Sequence, residues 1–540
     1  MNLILSPPTY PKPSFLNFHS HDPHNKRTHF QFKLQSSKSP ALQTSPVSAT
    51  ETETGVIIIG GGLSGLAAAN KLHSEKIPFV LLEASDGIGG RVRTDIIDGF
   101  ILDRGFQIFI TGYPEAQKVL DYESLDLQKF YSGAFVYYNG GFHTVADPVR
   151  HLFDALMSLS NPIGTVLDKL LIGLTRVKVL TRSDEDILTS NEVSIMDLLR
   201  KTGFSKTIID RFFRPFFGWI FFDNELETSS RLFDFIFKCL ALGDNTLPSK
   251  GISAIPEQLA SKLPDNSIRL NSRVAALDFN GSENAMPSVK LQNGEVFRSD
   301  LGVIVAVEEP EVEKLLAGKI RARKKPGRST VCLYFSADRA PVEEPVLILN
   351  GSGKGIVNNM FFATNVAKSY GPPGKTLVSV SVIGSFEEMS DESLTDQVVR
   401  ELSEWFGDSV VRSWKHLRNY RIGFAQPDQK PPTNLLRDLK IGSSVYVCGD
   451  CWSSASFDGA LSSVVCDVIA SRDSKCQSPK KQIHTNLRYK QNFSRDVDQN
   501  YAKVSCFFVL KNGEECLSKC GTSTLRVCCT SFEPSHNFPS

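Results

Sequence analysis

The sequence predicts an α/β protein with a parallel sheet and a second, partly helical region. An apolar run from Val56 to Ile59 leads through a glycine turn into a helical segment, and a second apolar run follows at Phe79 to Leu82. This strand–helix–strand order is typical of two neighbouring parallel strands. From residue 107 to about 240 the apolar residues recur at helical spacing, and from residue 327 alternating runs again indicate strands.

Size and composition exclude several classes of protein. With 540 residues and 41% apolar content the chain can bury a large core, and two or more domains are expected. A net charge of +1 argues against a general nucleic-acid binder. The sequence has no run of 18 uncharged apolar residues, so no membrane-spanning helix is expected. Five of the eleven cysteines precede residue 470, which does not indicate a disulfide scaffold in the main body.

The first 52 residues have the composition of an organelle transit peptide. Ser, Thr, Pro, His and Asn dominate, and Asp22 is the only acidic residue before Glu51. Because Ser and Pro outnumber Arg, a chloroplast is favoured over a mitochondrion as the destination. An ordinary disordered tail is the alternative.

Three glycines follow the first strand at the spacing G-x-G-x-x-G. Gly60 is expected to make the tight turn, and Gly62 to let a pyrophosphate approach the backbone because it has no Cβ. Gly65 is expected to allow close packing of the helix on the strand. Strand, helix and second strand stand in the order that this fingerprint requires.

The helix start and the end of the second strand complete this predicted dinucleotide site. Leu63 and Ser64 begin the helix, whose N-terminal N–H groups and partial positive charge suit phosphate. Glu83 ends the second strand about 20 positions after the glycines and is expected to accept hydrogen bonds from a ribose diol. Ala84 comes directly after it.

A second glycine pair distinguishes a flavin from a nicotinamide nucleotide. Gly89, Gly90 and Arg91 follow the acidic residue within the sequence GGRVRT. The whole stretch resembles the flavin-containing amine oxidoreductase superfamily, which includes amine oxidases, protoporphyrinogen oxidase and the phytoene desaturases. In that family these residues cover the FAD pyrophosphate, whose two negative charges suit a guanidinium fork. The alternative is a solvated arginine-rich turn.

The sequence VYVCGDCWSSASFDGALSS, near residue 450, matches the family's C-terminal FAD signature. A strand from Val445 to Cys448 ends at Gly449 and Asp450, and the resemblance implies that Asp450 accepts from a ribityl hydroxyl. A helix then opens with Phe457, Asp458, Gly459 and Ala460. Its N-terminus would face the flavin edge on which negative charge develops during reduction.

The resemblance also implies a domain order and weaker site residues. Asp103, Gly105 and Phe106 would lie near the isoalloxazine, and the backbone of Val274 would pair with adenine. The FAD-binding segments are 53–106, 246–326 and 439–472, the helical cap is 107–245 and the substrate-domain sheet is 327–438. Composition alone adds a transit peptide (1–52) and an irregular or disordered tail (473–540), at which the sequence departs from the family.

An aromatic cluster stands in the predicted cap. Its members are Phe212, Phe213, Phe216, Phe217, Trp219, Phe221 and Phe222. Helical core is the plainer interpretation, and the lining of an apolar substrate tunnel or a face dipping into a membrane interface are the alternatives.

The sequence therefore predicts an FAD-dependent oxidoreductase that removes a hydride from its substrate. The strand Ser329–Phe335 has no lysine and the stretch Arg421–Thr433 no cysteine, whereas family members that oxidise amines commonly carry the lysine and monoamine oxidases attach flavin through the cysteine. We thus expect non-covalent FAD and an apolar substrate, a polyene of the carotenoid type or a tetrapyrrole. A flavin amine oxidase and a non-catalytic FAD-binding subunit are the alternatives.

Other predictions concern the partners of the reaction. The electron acceptor is expected to be a quinone or oxygen, and peripheral membrane association is expected from the aromatic cap. No catalytic acid or base is identified.

The late cysteines have a spacing that fits no standard zinc finger, so no metal is expected; they are Cys516, Cys520, Cys528 and Cys529.

Overall fold

A computed structural model describes residues 51–105, 108–279, 286–320, 327–435, 439–442 and 444–462. Residues 1–50 of the predicted transit peptide, Phe106 and the predicted tail 473–540 with its cysteines lie outside the described residues. Within the described part, no helix has the length and apolar character needed to cross a membrane.

The described chain contains both strands and helices. The strands are β1 Glu51–Ile59, β2 Phe79–Leu82, β3 Thr94–Ile97, β4 Phe100–Asp103, β5 Phe109–Ile110, β6 Leu127–Lys129, β7 Gly133–Tyr138, β8 Gly141–Ala146, β9 Asn245–Pro248, β10 Ile268–Arg269, β11 Val274–Asp278, β12 Ser288–Leu291, β13 Val296–Val305, β14 Arg328–Ala337, β15 Leu347–Asn350, β16 Val357–Phe362, β17 Thr376–Ile383, β18 Lys415–Gln426, β19 Lys440–Ile441 and β20 Val445–Val447. The α-helices are α1 Leu63–Ser74, α2 Pro114–Val119, α3 Leu152–Met157, α4 Val166–Leu180, α5 Asp184–Thr189, α6 Ile195–Thr202, α7 Lys206–Ile208, α8 Arg214–Phe221, α9 Ser230–Leu242, α10 Ala254–Ala260, α11 Glu309–Leu315, α12 Ala363–Val366, α13 Asp391–Phe406, α14 Asp408–Val411 and α15 Phe457–Ser462. A π-helical turn, Ile209–Phe213, leads into α8.

The first sheet confirms the predicted parallel sheet. Its order is β10-β2-β1-β13-β12-β11, and β20 lies on β13. The strands β10, β2, β1, β13 and β20 are parallel, and the side chains of Val56, Ile57 and Ile58 are fully buried. Both faces of β1 are covered, which explains its unbroken apolar run. Because Ile59 and Val447 both pair with Val305, the turns after β1 and β20 emerge at one edge of the sheet.

The second sheet takes strands from two distant parts of the chain. Its order is β18-β14-β17-β16-β15-β7-β8, antiparallel except between β15 and β7. The hairpin β7–β8 lies in the stretch 107–245, which the sequence predicts as a helical cap, so that stretch is only partly helical. Asn139 and Gly140 connect the two strands with φ of 51° and 77°. An Asn-Gly turn of this kind is a strong hairpin signal, and the helical periodicity downstream obscured it.

A shorter hairpin follows the second glycine pair. The strands β3 and β4 pair around Asp98 and Gly99, whose φ values of 51° and 79° suit a two-residue turn. Its last residue, Asp103, is buried and accepts hydrogen bonds from the Thr94 hydroxyl, the Ile252 N–H and the Tyr370 hydroxyl. Asp103 therefore joins the hairpin to residues from two later segments of the chain.

The aromatic cluster packs into the core beneath the helices. Phe213, Phe217 and Phe221 are buried, and the ring of Phe217 lies 4.6 Å from that of Phe233 on α9. None of the seven aromatic residues is exposed. These side chains therefore do not form the membrane-facing surface that was the other interpretation. The core interpretation is confirmed for Phe213, Phe217 and Phe221.

Candidate functional site

A cavity of about 820 Å³ opens at the carboxyl ends of β1, β2, β13 and β20. This is the edge of a parallel sheet at which nucleotides bind in such folds. The predicted residues that line it are Gly60, Gly62, Leu63, Ser64, Glu83, Ala84, Gly89, Gly90, Arg91, Val274, Gly449, Asp450 and Ala460, together with Gly105. Of the other predicted residues, Gly65, Asp103, Asp458 and Gly459 do not line the cavity, and Phe106 lies outside the described residues.

The first glycine turn has the geometry that a diphosphate requires. Gly60 has φ of +106°, and a Cβ there would lie 2.5 Å from the Ala306 carbonyl oxygen. A Cβ on Gly65 would lie 1.9 Å from the Gly60 carbonyl oxygen, so helix and turn are in backbone contact. At Gly62 a Cβ would meet nothing within 4 Å and would project into open space. Gly62 thus leaves open space in the cavity, whereas Gly60 and Gly65 permit the close backbone packing of its wall.

The N-terminus of α1 opens onto this space. Gly62 is its N-cap and no side chain caps the first turn, while Leu63 and Ser64 line the cavity. Uncapped first-turn amides and the helix dipole favour an anion at this position. A pyrophosphate placed beside Gly62 would therefore meet hydrogen-bond donors and partial positive charge.

The second glycine pair packs directly on the first turn. The Gly89 N–H donates to the Gly61 carbonyl oxygen (2.8 Å), and a Cβ on Gly90 would lie 3.4 Å from the Gly62 Cα. Two glycine-lined backbones therefore meet at one end of the cavity. Arg91, which follows at once, is positioned by this contact.

Glu83 lies at the end of β2 and is mostly buried. Its carboxylate accepts from the Gly61 N–H (2.6 Å) and from the N–H and hydroxyl of Ser85 (2.8 and 2.7 Å). These bonds fix the carboxylate beside the glycine turn and use three of its roughly four acceptor positions, and Glu83 lines the cavity.

Arg91 and Asp450 join the two sequence motifs across the cavity. The guanidinium donates to both carboxylate oxygens (2.7 and 3.0 Å) and to the Ala425 carbonyl oxygen (2.7 Å). Burial would lower the pKa of Arg91, but the neighbouring Asp450 carboxylate outweighs it and raises that pKa above its usual value. The arginine is thus held as a cation, with its planar fork set by Asp450.

The C-terminal motif contributes a short helix to the same wall. Phe457 and Ala460 of α15 line the cavity, but the Asp458 side chain turns away and accepts from the Glu115 N–H at the start of α2 (2.6 Å). Burial raises the pKa of Asp458 to about 7. A Cβ on Gly459 would lie 1.9 Å from the Ser454 carbonyl oxygen, so this glycine permits close packing. Asp458 and Gly459 therefore position α15 and do not line the cavity.

The opposite part of the cavity is lined by apolar and aromatic side chains. Its walls come from the loop before β5, from α8 and from α9, through Ile108, Phe216, Trp219, Ile220, Phe222, Ile236 and Leu240. Residues 420–426 of β18 form another wall, and the Gln426 side chain donates to the Ile220 carbonyl oxygen (2.9 Å). No lysine, histidine or cysteine is among the described residues that line the cavity. This part can hold an apolar molecule in contact with the rest of the cavity.

Sequence reasoning missed several lining residues. They include Ser272, Arg273, Val307, Glu308, Thr330, Ala455 and Ser456. Glu308 follows the buried strand β13 and acts on Arg91 electrostatically; burial raises its pKa, and Arg91 partly offsets that shift. Its place could have been inferred, because the carboxyl ends of neighbouring parallel strands meet at one edge.

Comparison with known proteins gives the class of the chain. Residues 63–464 match the family model described as flavin containing amine oxidoreductase, and the chain belongs to this family. It is an oxidoreductase whose cofactor is FAD. The open space at Gly62, the uncapped α1 and the fixed Arg91 fork fit that cofactor's pyrophosphate.

The proteins similar to this chain are named for different activities. Polyamine oxidase 2 of Arabidopsis thaliana is 25% identical over 75% of this chain and 84% of its own. Coproporphyrinogen III oxidase of Bacillus subtilis is 22% identical over 75% and 94%. The chloroplastic/chromoplastic 15-cis-phytoene desaturase of Solanum lycopersicum is 24% identical over 66% and 65%. The fold is also that of an oxidoreductase from Methanosarcina mazei, with a TM-score of 0.60 and 17% identity over 78% of this chain and 100% of that one.

Proposed function

We propose that this chain binds FAD non-covalently along the cavity and removes a hydride from an apolar substrate, a carotenoid-type polyene or a tetrapyrrole. The observation that carries this proposal is the composition of one continuous cavity. Glycine backbones, Glu83 and the Arg91–Asp450 pair line one part, and aromatic and aliphatic side chains of α8 and α9 line the other.

The nucleotide part would hold the cofactor mainly through backbone groups. The α1 N-terminus and Arg91 would receive the pyrophosphate, Glu83 and Ala84 would lie at the adenosine ribose, and Val274 at the adenine. Gly449, Asp450 and Ala460 would lie along the ribityl chain and the flavin edge. When bound, FAD supplies the two-electron acceptor for C–H oxidation.

The apolar part would position the substrate and exclude water. Phe216, Trp219 and Ile236 offer wide apolar surfaces, which bind a polyene or a macrocycle by burial and shape. The names of similar proteins support both substrate classes, since they include a phytoene desaturase and a coproporphyrinogen oxidase.

Polyamine oxidation is the second candidate, because Polyamine oxidase 2 is also a relative. The charged amines of a polyamine would need polar or acidic partners. The side chains that α8 and α9 contribute to the cavity are apolar or aromatic, and the polar residues Asn245 and Tyr420 line it elsewhere.

Anaerobic mixing of the purified yellow protein with three substrates separates these functions. We expect a polyene or a porphyrinogen to bleach the oxidised-flavin absorbance while spermidine leaves it unchanged. Bleaching by spermidine alone would establish the amine oxidase instead. A flavin that chemical reductants bleach but none of the three substrates does would indicate the non-catalytic subunit. Re-oxidation of the bleached protein by a quinone or by oxygen then identifies the acceptor.

We also propose that the chain acts in the chloroplast. The composition of residues 1–52 supports this, and the similar phytoene desaturase of Solanum lycopersicum is named as chloroplastic/chromoplastic. Residues 1–52 fused to a fluorescent protein should enter chloroplasts in leaf cells, and import into mitochondria would contradict the proposal.

A further inference from the structure

The helices α3 and α4 carry an unusual concentration of exposed apolar side chains. Among the described residues from 149 to 180, eleven large apolar side chains are exposed, ten of them by more than half. They are Val149, Leu152, Phe153, Leu156, Met157, Val166, Leu167, Leu170, Leu174, Val177 and Leu180. Only four more exposed large apolar side chains are found in the rest of the described chain. We call these eleven residues the α3–α4 face.

The two helices present this face side by side. Lys169 near the start of α4 donates to the Ser158 carbonyl oxygen just beyond the end of α3. At the other end, Arg150 and Arg176 both donate to the Asp147 carboxylate (2.6 and 2.9 Å). The start of α3 therefore lies near the end of α4, and the helices form an antiparallel pair.

The outward side of this pair is almost entirely uncharged. Every exposed residue of α3 and α4 is apolar except Lys178. The acids of these helices point elsewhere, since Asp154 accepts from the Tyr131 hydroxyl and Asp168 is buried. A surface helix normally places polar residues outward, so two neighbouring helices with an apolar outward side mark a surface that binds something.

The same pair lies behind the apolar wall of the cavity. Arg150 donates to the Leu240 and Gly243 carbonyl oxygens and Arg176 to that of Ala241, at the end of α9. Leu240 and Ile236, one turn earlier in α9, line the cavity. One helix thus separates the α3–α4 face from the space in which we place the substrate.

We propose that the α3–α4 face docks into the interface of a lipid bilayer, from which the enzyme takes its apolar substrate. The docking is inferred from the face itself, and the substrate route rests on the proposed function. An interfacial helix buries its apolar side at the boundary of headgroups and acyl chains. A protein partner is less suited, because protein interfaces carry about one hydrogen bond per 100–200 Å² and this face offers only Lys178 among its exposed helical residues.

Vesicle flotation of the full FAD-loaded chain tests this proposal. The double variant Leu170→Glu/Leu174→Glu places two charges on the face, and Ile96→Glu/Met286→Glu places the same two charges at other exposed apolar positions. Vesicles of phosphatidylcholine and phosphatidylglycerol are floated with each protein in low and high salt. Because all four side chains are exposed, we expect both variants to keep the wild-type flavin absorbance.

We expect the wild type and the control variant to float with the vesicles. The vesicle affinity of the face variant should be at least about tenfold lower. Salt should change the binding little, because burial of apolar surface drives it. Flotation of the face variant at the wild-type level would overturn the proposal. A second result would also overturn it: the wild type stays at the bottom of the gradient and is a dimer by light scattering, whereas the face variant is a monomer. A second copy of the chain would then cover the face. The readout needs no substrate, so a failure of the proposed oxidation leaves the docking result standing.

Discussion

The two parts of the cavity are built by different means. The nucleotide part is lined largely by backbone, from turns in which Gly60, Gly62 and Gly89 are close in sequence and space. The apolar part is lined by side chains from the consecutive helices α8 and α9 and from the distant strand β18. The difference indicates that cofactor binding depends on a few backbone geometries, whereas substrate choice depends on side-chain volume and can change one residue at a time.

The largest expected effect is at Gly62. In Gly62→Leu the side chain fills the space in which we place the pyrophosphate, so FAD affinity should fall by about a hundredfold or more and the protein should purify colourless. Gly173 in α4 is the matched control, since a Cβ there also meets nothing within 4 Å. Gly173→Leu should remain yellow. A yellow Gly62→Leu protein would place the pyrophosphate elsewhere.

The next effect concerns the arginine that joins the two motifs. Arg91→Met leaves the mostly buried Asp450 without its partner, and we expect weaker FAD binding and a loss of roughly 1–3 kcal/mol in the free energy of unfolding. Arg93→Met is the control in the same loop, because its partner Asp86 is exposed, and it should destabilise the fold less than Arg91→Met does. Chemical denaturation and flavin titration measure both quantities. Equal losses for the two variants would refute the bridging role.

A smaller effect is expected from the apolar part. Phe216→Ala widens the cavity without touching the glycine turns, so KM for the substrate should rise several-fold while the flavin spectrum is unchanged. Phe212 stacks on Phe216 with ring centroids 5.4 Å apart but does not line the cavity. Phe212→Ala should alter KM less. Loss of flavin from Phe216→Ala would show that the two parts are not separable.

The smallest effect is a pH dependence at Asp458. Because burial raises its folded-state pKa to about 7 from 3.8, its contribution to stability is full at acidic pH and is lost as pH rises through about 7. Asp458→Asn cannot ionise and keeps an oxygen for the Glu115 N–H. Relative to wild type, its Tm should therefore be higher by a few degrees at about pH 8.5 than at about pH 5.5. A difference independent of pH would show that this carboxyl does not titrate there.

The sequence predicts what is local and misses what tertiary packing decides. The spacing of Gly60, Gly62 and Gly65 encodes a turn whose form depends on backbone geometry alone, so it was readable. That Arg91 pairs with Asp450, and that Asp458 turns to α2, depends on where distant segments meet. The hairpin β7–β8 carried a local signal at Asn139-Gly140, but the second sheet that it joins could not be inferred from that turn.

The most direct test of the central claim is the flavin content of the purified wild-type chain. A dinucleotide that spans the first glycine turn and the C-terminal motif requires about one FAD per chain, released by heat denaturation without proteolysis. The account predicts that ratio, with the released flavin running as FAD in chromatography. Stoichiometric FMN, flavin that stays attached to the denatured chain, or a chain that binds no flavin when FAD is supplied would contradict it.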